Sequence, residues 1–141
     1  MTQEDKDLLL KDFCSRLPYG VKVKLGDNPN IFDLEYRIKF AIMYGNSDKL
    51  EDILDITNIK PYLFPLSSMT EEQKEECFKG TPLEIDKYGD IAAKDNSYGG
   101  SQYTDLENYL KVINWLFKNH FDILGLIPMG LALDATGLNI Y

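Results

Sequence analysis

The chain of 141 residues has one histidine, His120, two cysteines, Cys14 and Cys77, and one tryptophan, Trp115. Each shortage closes a class of chemistry. Every histidine-dependent mechanism must run through His120. No Gly-x-Ser-x-Gly elbow is present, and a Ser-His-Asp site would need an exposed serine and a buried carboxylate arranged around that one imidazole. His120-x-Asp122 supplies at most two metal ligands, which on a helix would face apart at that spacing. The cysteines stand 63 positions apart with no Cys-x-x-Cys and no histidine near them, so zinc is unsupported. Two buried free thiols in a reducing compartment are the expectation. Residues 125–130, Gly-Leu-Ile-Pro-Met-Gly, lack the Lys and Ser or Thr of a phosphate loop, and Pro128 removes a backbone donor. The longest apolar run, residues 121–133, has 13 residues and contains Asp122, too short to span a bilayer. The acidic start, Met-Thr-Gln-Glu-Asp-Lys-Asp, is not the basic region of a signal peptide. The reading is a cytoplasmic protein that is not an enzyme, with no cofactor, no metal and no membrane partner.

Positive charge is also scarce. Against 15 Lys and Arg stand 23 Asp and Glu, a net of −8, and residues 71–141 carry most of the excess, −6 against −2 before them. Such a chain repels phosphate backbones, which disfavours nucleic acid unless a local basic patch exists. What is abundant is apolar: 44% of the residues, enough for a core without staples in one domain of this length.

The pattern divides residues 1–141, read as one domain, into three parts. Residues 1–58 hold a helix and a β-hairpin, 59–70 a proline-rich connector, and 71–141 a mostly helical half. Thr2-Gln3-Glu4-Asp5 resembles a capping box, and Leu9, Leu10, Phe13, Cys14 and Leu17 repeat at helical spacing until Pro18-Tyr19-Gly20. Val21, Val23 and Leu25 then alternate with Lys22 and Lys24, and a strand is expected over 32–42 from the alternation of Phe32, Leu34, Tyr36, Ile38, Phe40 and Ile42. Pairing Val23 with Leu34 sets Lys24 against Asp33 and Lys22 against Glu35, so both faces agree on that register. A short strand is expected over 53–56. Pro61 and Pro65 make the connector extended, and Thr70-Glu71-Glu72-Gln73 opens a second helix ended by Gly80. Its carboxylates Glu71, Glu72, Glu75 and Glu76 are expected to lie exposed. Residues 81–103 read as a long loop. Thr104-Asp105-Leu106-Glu107 opens the strongest helix, with Leu106, Tyr109, Leu110, Ile113, Leu116 and Phe117 as its buried stripe. A short strand over 131–133 closes the pattern. The fold class is α+β: a small antiparallel sheet or half-barrel of three to four strands, a covering N-terminal helix and a C-terminal helical half.

Two surfaces stand out as binding candidates. In an extended connector neighbouring side chains alternate, so Tyr62, Phe64 and Pro65 cannot all face one core. An exposed aromatic on a rigid segment is an efficient anchor for a protein partner. Trp115, at the edge of the helical stripe, joins them. The alternative is the hairpin's outer face, where Lys22, Lys24, Arg37 and Lys39 lie near aromatics and would suit a nucleic-acid strand. Asp33 and Glu35 interleave with these cations and favour a salt-bridged solvent face. A third reading is a small-ligand protein or enzyme with a site between the halves, near Tyr62, Trp115 and His120.

Ile59-Lys60-Pro61-Tyr62-Leu63, Pro65-Leu66-Ser67-Ser68-Met69-Thr70-Glu71-Glu72, and Phe121-Asp122 with Gly125-Leu126-Ile127 and Gly130-Leu131-Ala132-Leu133 resemble two signatures of a family of small bacterial proteins. That family belongs to phage and mobile-element genomes of gut bacteria and has no assigned function. Leu17-Pro18-Tyr19-Gly20-Val21 is similar as well. The family pattern has Arg where this chain has Phe64, and Tyr-Arg where it has Ile123-Leu124. The resemblance implies an accessory protein and no reaction. Together these readings give a non-catalytic cytoplasmic protein that binds another protein.

Overall fold

Helix α1, Gln3–Arg16, begins as its sequence dictates: Thr2 Oγ1 accepts from the Asp5 amide at 3.1 Å and the Asp5 carboxylate accepts from the Thr2 amide at 2.9 Å. The structure is a computed structural model that describes residues 1–44, 55–93 and 106–141. Leu9 and Phe13 enter the core from α1, and Gly20 turns the chain with φ +74°, a conformation that glycine adopts without strain. Cys14, expected to be buried, is exposed; Cys77 is buried, and burial pushes its thiol up to about 12.

The main sheet has four strands in the order β2-β1-β3-β6: β1 Lys22–Leu25, β2 Ile31–Asp33, β3 Ile59–Leu63 and β6 Leu133–Asp134. β1 pairs antiparallel with both β2 and β3, and β6 pairs parallel to β3. The fold is α+β, with a helix before the sheet and another near the end of the chain. Val21, Val23, Ile59 and Leu63 point inward against α1 in one core with Leu34, Leu126 and Leu131. A second core joins Met69, Cys77, Phe78, Leu83, Val112, Leu116 and Phe121.

The hairpin differs from the expected one in register and length. Val23 pairs with Phe32 and Lys22 with Asp33, a slip of two residues that keeps every side chain on its expected face. The strand expected over 32–42 stops at Asp33, and residues Leu34–Tyr44 form helix α2. The cause is the length of β1. Its four residues offer no ladder for a partner of eleven, whereas Leu34 and Ile38 also sit one helical turn apart. Glu35 and Lys39 pair along that helix at 2.8 Å. Tyr36, expected against Val21, is exposed.

Residues Ile59–Leu63 of the stretch expected to be a connector form β3, an inner strand of the sheet. Proline is unusual there. The Gly26 amide donates to the Asn58 carbonyl, which by ladder alternation places Pro61 at a non-hydrogen-bonded position opposite Val23. Its ring nitrogen therefore points to the β6 side, where pairing starts only at Tyr62. Of the strand expected over 53–56, residues 53 and 54 lie outside the described residues; Asp55 and Ile56 belong to a turn.

Helix α3, Glu71–Phe78, carries the complete capping box of Thr70 and Gln73. Within the expected loop 81–103, strands β4 Leu83–Ile85 and β5 Ile91–Ala93 pair as a hairpin. Asp86 Oδ1 accepts from the Tyr88 and Asp90 amides and holds the turn. Residues 94–103 of that loop, and Thr104 and Asp105 of the expected capping box, lie outside the described residues. Helix α4 spans Leu106–Lys118.

Candidate functional site

The outer face of the main sheet follows from strand alternation. Lys60 and Tyr62 on β3 are half-buried and share a face, while Ile59, Pro61 and Leu63 turn into the core. On β1 the same alternation sends Lys22 and Lys24 outward, and β2 adds Ile31 and Asp33. The register sets Lys24 directly opposite Lys60. Lys22 makes an ion pair with Asp33 across the β1/β2 ladder. Next to the Lys24–Lys60 pair lies a hollow of about 290 Å³ lined also by Asp27, Thr57, Asn58 and Leu133.

A second surface belongs to α4. The helix is amphipathic, but it buries Val112 and Leu116 rather than the whole stripe marked by the sequence. Leu106 is 72% exposed, Leu110 47% and Tyr109 40%. These three occupy one face at i, i+3 and i+4. The expected buried stripe is therefore covered only in its second half.

Between the two cores runs a seam of rings and charges. Phe64 and Trp115 both pack against Phe121, each with its ring centroid 5.9 Å from that of Phe121. Phe64 is clamped by its backbone, donating to the His120 carbonyl and accepting from the Asp122 amide, both at 2.8 Å. His120 is buried with φ +65°, and its ring stacks on Tyr141 at 3.7 Å. Burial pulls its pKa down to about 4, helped by the positive charges of Arg16 and Lys22, so the imidazole is neutral at physiological pH. The Asp122 carboxylate is engaged by the Leu126 and Ile127 amides at 2.8 and 2.9 Å. Tyr141 does something less common. Its hydroxyl accepts from the Lys22 amide at 2.8 Å and donates to the Tyr62 carbonyl at 2.7 Å, replacing the rung that β1 and β3 would form there. The residue is 41% exposed overall, but the enclosed hydroxyl is desolvated and its pKa is pushed up.

Behind the seam, Asp12 and Arg16 are both fully buried. Arg16 Nε donates to Asp12 at 2.8 Å, its Nη2 to the Phe121 carbonyl at 2.6 Å, and the guanidinium lies 4.8 Å from the Phe117 ring centroid. Burial pushes the Asp12 carboxyl above the ordinary carboxylate range despite Arg16 beside it. This pair escaped the sequence reading, although its i, i+4 spacing on the inward side of α1 was the available signal.

The expected site residues therefore scatter. Phe64 and Trp115 meet around Phe121 in the second core, Tyr62 faces the outer sheet surface, and the Pro65 carbonyl accepts from Ser68 in a short 3₁₀ turn. Lys22 and Lys24 stand on the outer sheet face. Arg37 and Lys39 do not join them, because they belong to α2, where Arg37 lies near Asp55 and Lys39 is paired with Glu35. Lys60 takes the place expected for them. The signal was its position two residues before Tyr62 on one strand face.

Among the described residues, no group of His, Cys, Asp and Glu side chains is arranged to hold a metal ion, and no helix is long and apolar enough to cross a membrane. No protein-family model, curated protein or solved structure matches this chain.

Proposed function

We propose that the protein is a non-catalytic, cytoplasmic accessory factor, encoded by a phage or mobile element, that binds another protein through α4. One observation carries this reading: Leu106, Tyr109 and Leu110 form an apolar stripe on α4 and lie open to solvent. A helix of 13 residues is about 20 Å long. Two such stripes laid flat together would bury well under the roughly 800 Å² per partner of a standard interface. A partner that wraps the helix in an apolar groove gains far more, so the fitting occupant is a groove-bearing protein in the helix-in-groove mode. The resemblance to phage and mobile-element proteins supports the accessory role.

The test places a photo-crosslinking residue at Asn114, beside the stripe, and compares the chain with its Leu106→Glu/Leu110→Glu variant in host lysate. The expected result is one stoichiometric cross-linked protein, lost in the variant while circular dichroism is unchanged. A partner captured equally by the variant, or a cross-link only to a second copy of this chain, overturns the reading.

A further inference from the structure

Like charges directly opposite each other across a ladder cost stability. Lys24 and Lys60 are such a pair, and the ladder alternation places them at a hydrogen-bonded position with Cα atoms about 5.5 Å apart. The carboxylates expected to neutralise the hairpin are engaged elsewhere. Asp33 is held by Lys22, and Glu35 has moved onto α2 with Lys39. Neither Lys24 nor Lys60 forms an ion pair among the described residues. Both are half-buried, and both line the same hollow. Tyr62 stands two residues from Lys60 on the same face. Its ring makes no ring contact and its hydroxyl no hydrogen bond among the described residues.

We propose that this outer face binds single-stranded nucleic acid, with Lys24 and Lys60 sharing a phosphate and Tyr62 offering its ring to an adjacent base. A phosphate is a group that two neighbouring amines can share, and the idle aromatic ring beside them favours a base over an acidic side chain. The net charge of −8 works against a long contact, so the site takes one or two phosphates, the second only where Lys22 leaves its pair with Asp33. Asp27, in the same hollow, opposes the phosphate and weakens the site. The inference is independent of α4, which lies against the other core.

The experiment is fluorescence anisotropy of the whole chain with fluorescein-labelled oligo-dT at 20–200 mM salt. Binding is expected with a slope of log K against log salt between about −0.7 and −1.4, the value for one to two phosphates on a single strand. Lys24→Gln/Lys60→Gln should abolish it, Tyr62→Ala weaken it about 5- to 150-fold, Asp27→Asn tighten it, and Lys39→Gln leave it unchanged. In the same proteins Lys24→Gln should raise the urea midpoint, since it relieves the repulsion, which shows that lost binding is not lost folding. No binding at 20 mM salt, or a double lysine variant that binds like the original chain, overturns the proposal. So does displacement by poly-glutamate at equal charge with Tyr62→Ala without effect, which would make the face a site for an acidic protein.

Discussion

Arg16→Met is the substitution this fold should tolerate least. Arg16 and Asp12 have no exposed surface, and the guanidinium holds both the Asp12 carboxylate and the Phe121 carbonyl. Removing it strands a carboxylate in the core and leaves that carbonyl without its donor. Breaking a buried pair in this way costs about 3–5 kcal/mol, against a total stability of about 5–15 kcal/mol for a domain. Removing both charges should cost much less. Asp12 Oδ1 and Arg16 Nη1 have no hydrogen-bond partner among the described residues, so the pair is incompletely satisfied and Asp12→Leu/Arg16→Met removes two unmet groups at once. The double variant should lie at least about 2 kcal/mol closer to the original chain than Arg16→Met does. Urea unfolding of all four proteins, with slopes compared to confirm two-state behaviour, gives the cycle. Single variants that each lose less than about 1 kcal/mol, or a double variant that loses the sum of the singles, would falsify the account of a tightly coupled buried pair.

Two further outcomes follow from the seam. His120 is neutral in the fold, with its pKa pulled from 6.5 to about 4, so the unfolded chain takes up the proton first as pH falls. Its contribution is fully present above pH 6.5 and is lost on acidification toward pH 4. The loss reaches at most about 3 kcal/mol, less whatever solvent screens at the ring edge. Asp12, whose pKa is raised, acts in the opposite sense in both proteins. Subtracting the urea stability of His120→Asn, a residue that tolerates the positive φ, isolates the histidine; parallel pH profiles for the two proteins would sink the argument. Tyr141→Phe keeps the stack on His120 but removes the hydroxyl between Lys22 and Tyr62. It should cost about 1–2 kcal/mol and speed amide exchange at Lys22, whereas unchanged exchange there would mean the hydroxyl does not hold the strands.

Local signals were legible wherever one short segment carries its own answer. The capping boxes at Thr2 and Thr70, the turn at Gly20 and the inward faces of Val21 and Val23 need only neighbours within four residues. Distance along the chain defeated the rest. Leu34, Ile38 and Ile42 satisfy both a strand and a helix, and the short length of β1 settled the choice. Lys60 became part of a basic surface only because β3 lies beside β1, a pairing 36 residues apart in sequence between Lys24 and Lys60. The stripe of α4 read as buried because periodicity reports which side chains share a face, not whether anything covers that face.

By itself the sequence determined the class of fold, the caps and ends of α1 and α3, and the presence of a hairpin with lysines outward. These depend on local backbone chemistry and on alternation, which act over a few residues. Only the tertiary structure decided that Ile59–Leu63 is an inner strand, that Asp12 and Arg16 are buried together, and that Lys24 faces Lys60. Each of these turns on which distant segments lie side by side, and the charge and burial a residue experiences are set by those neighbours rather than by its own.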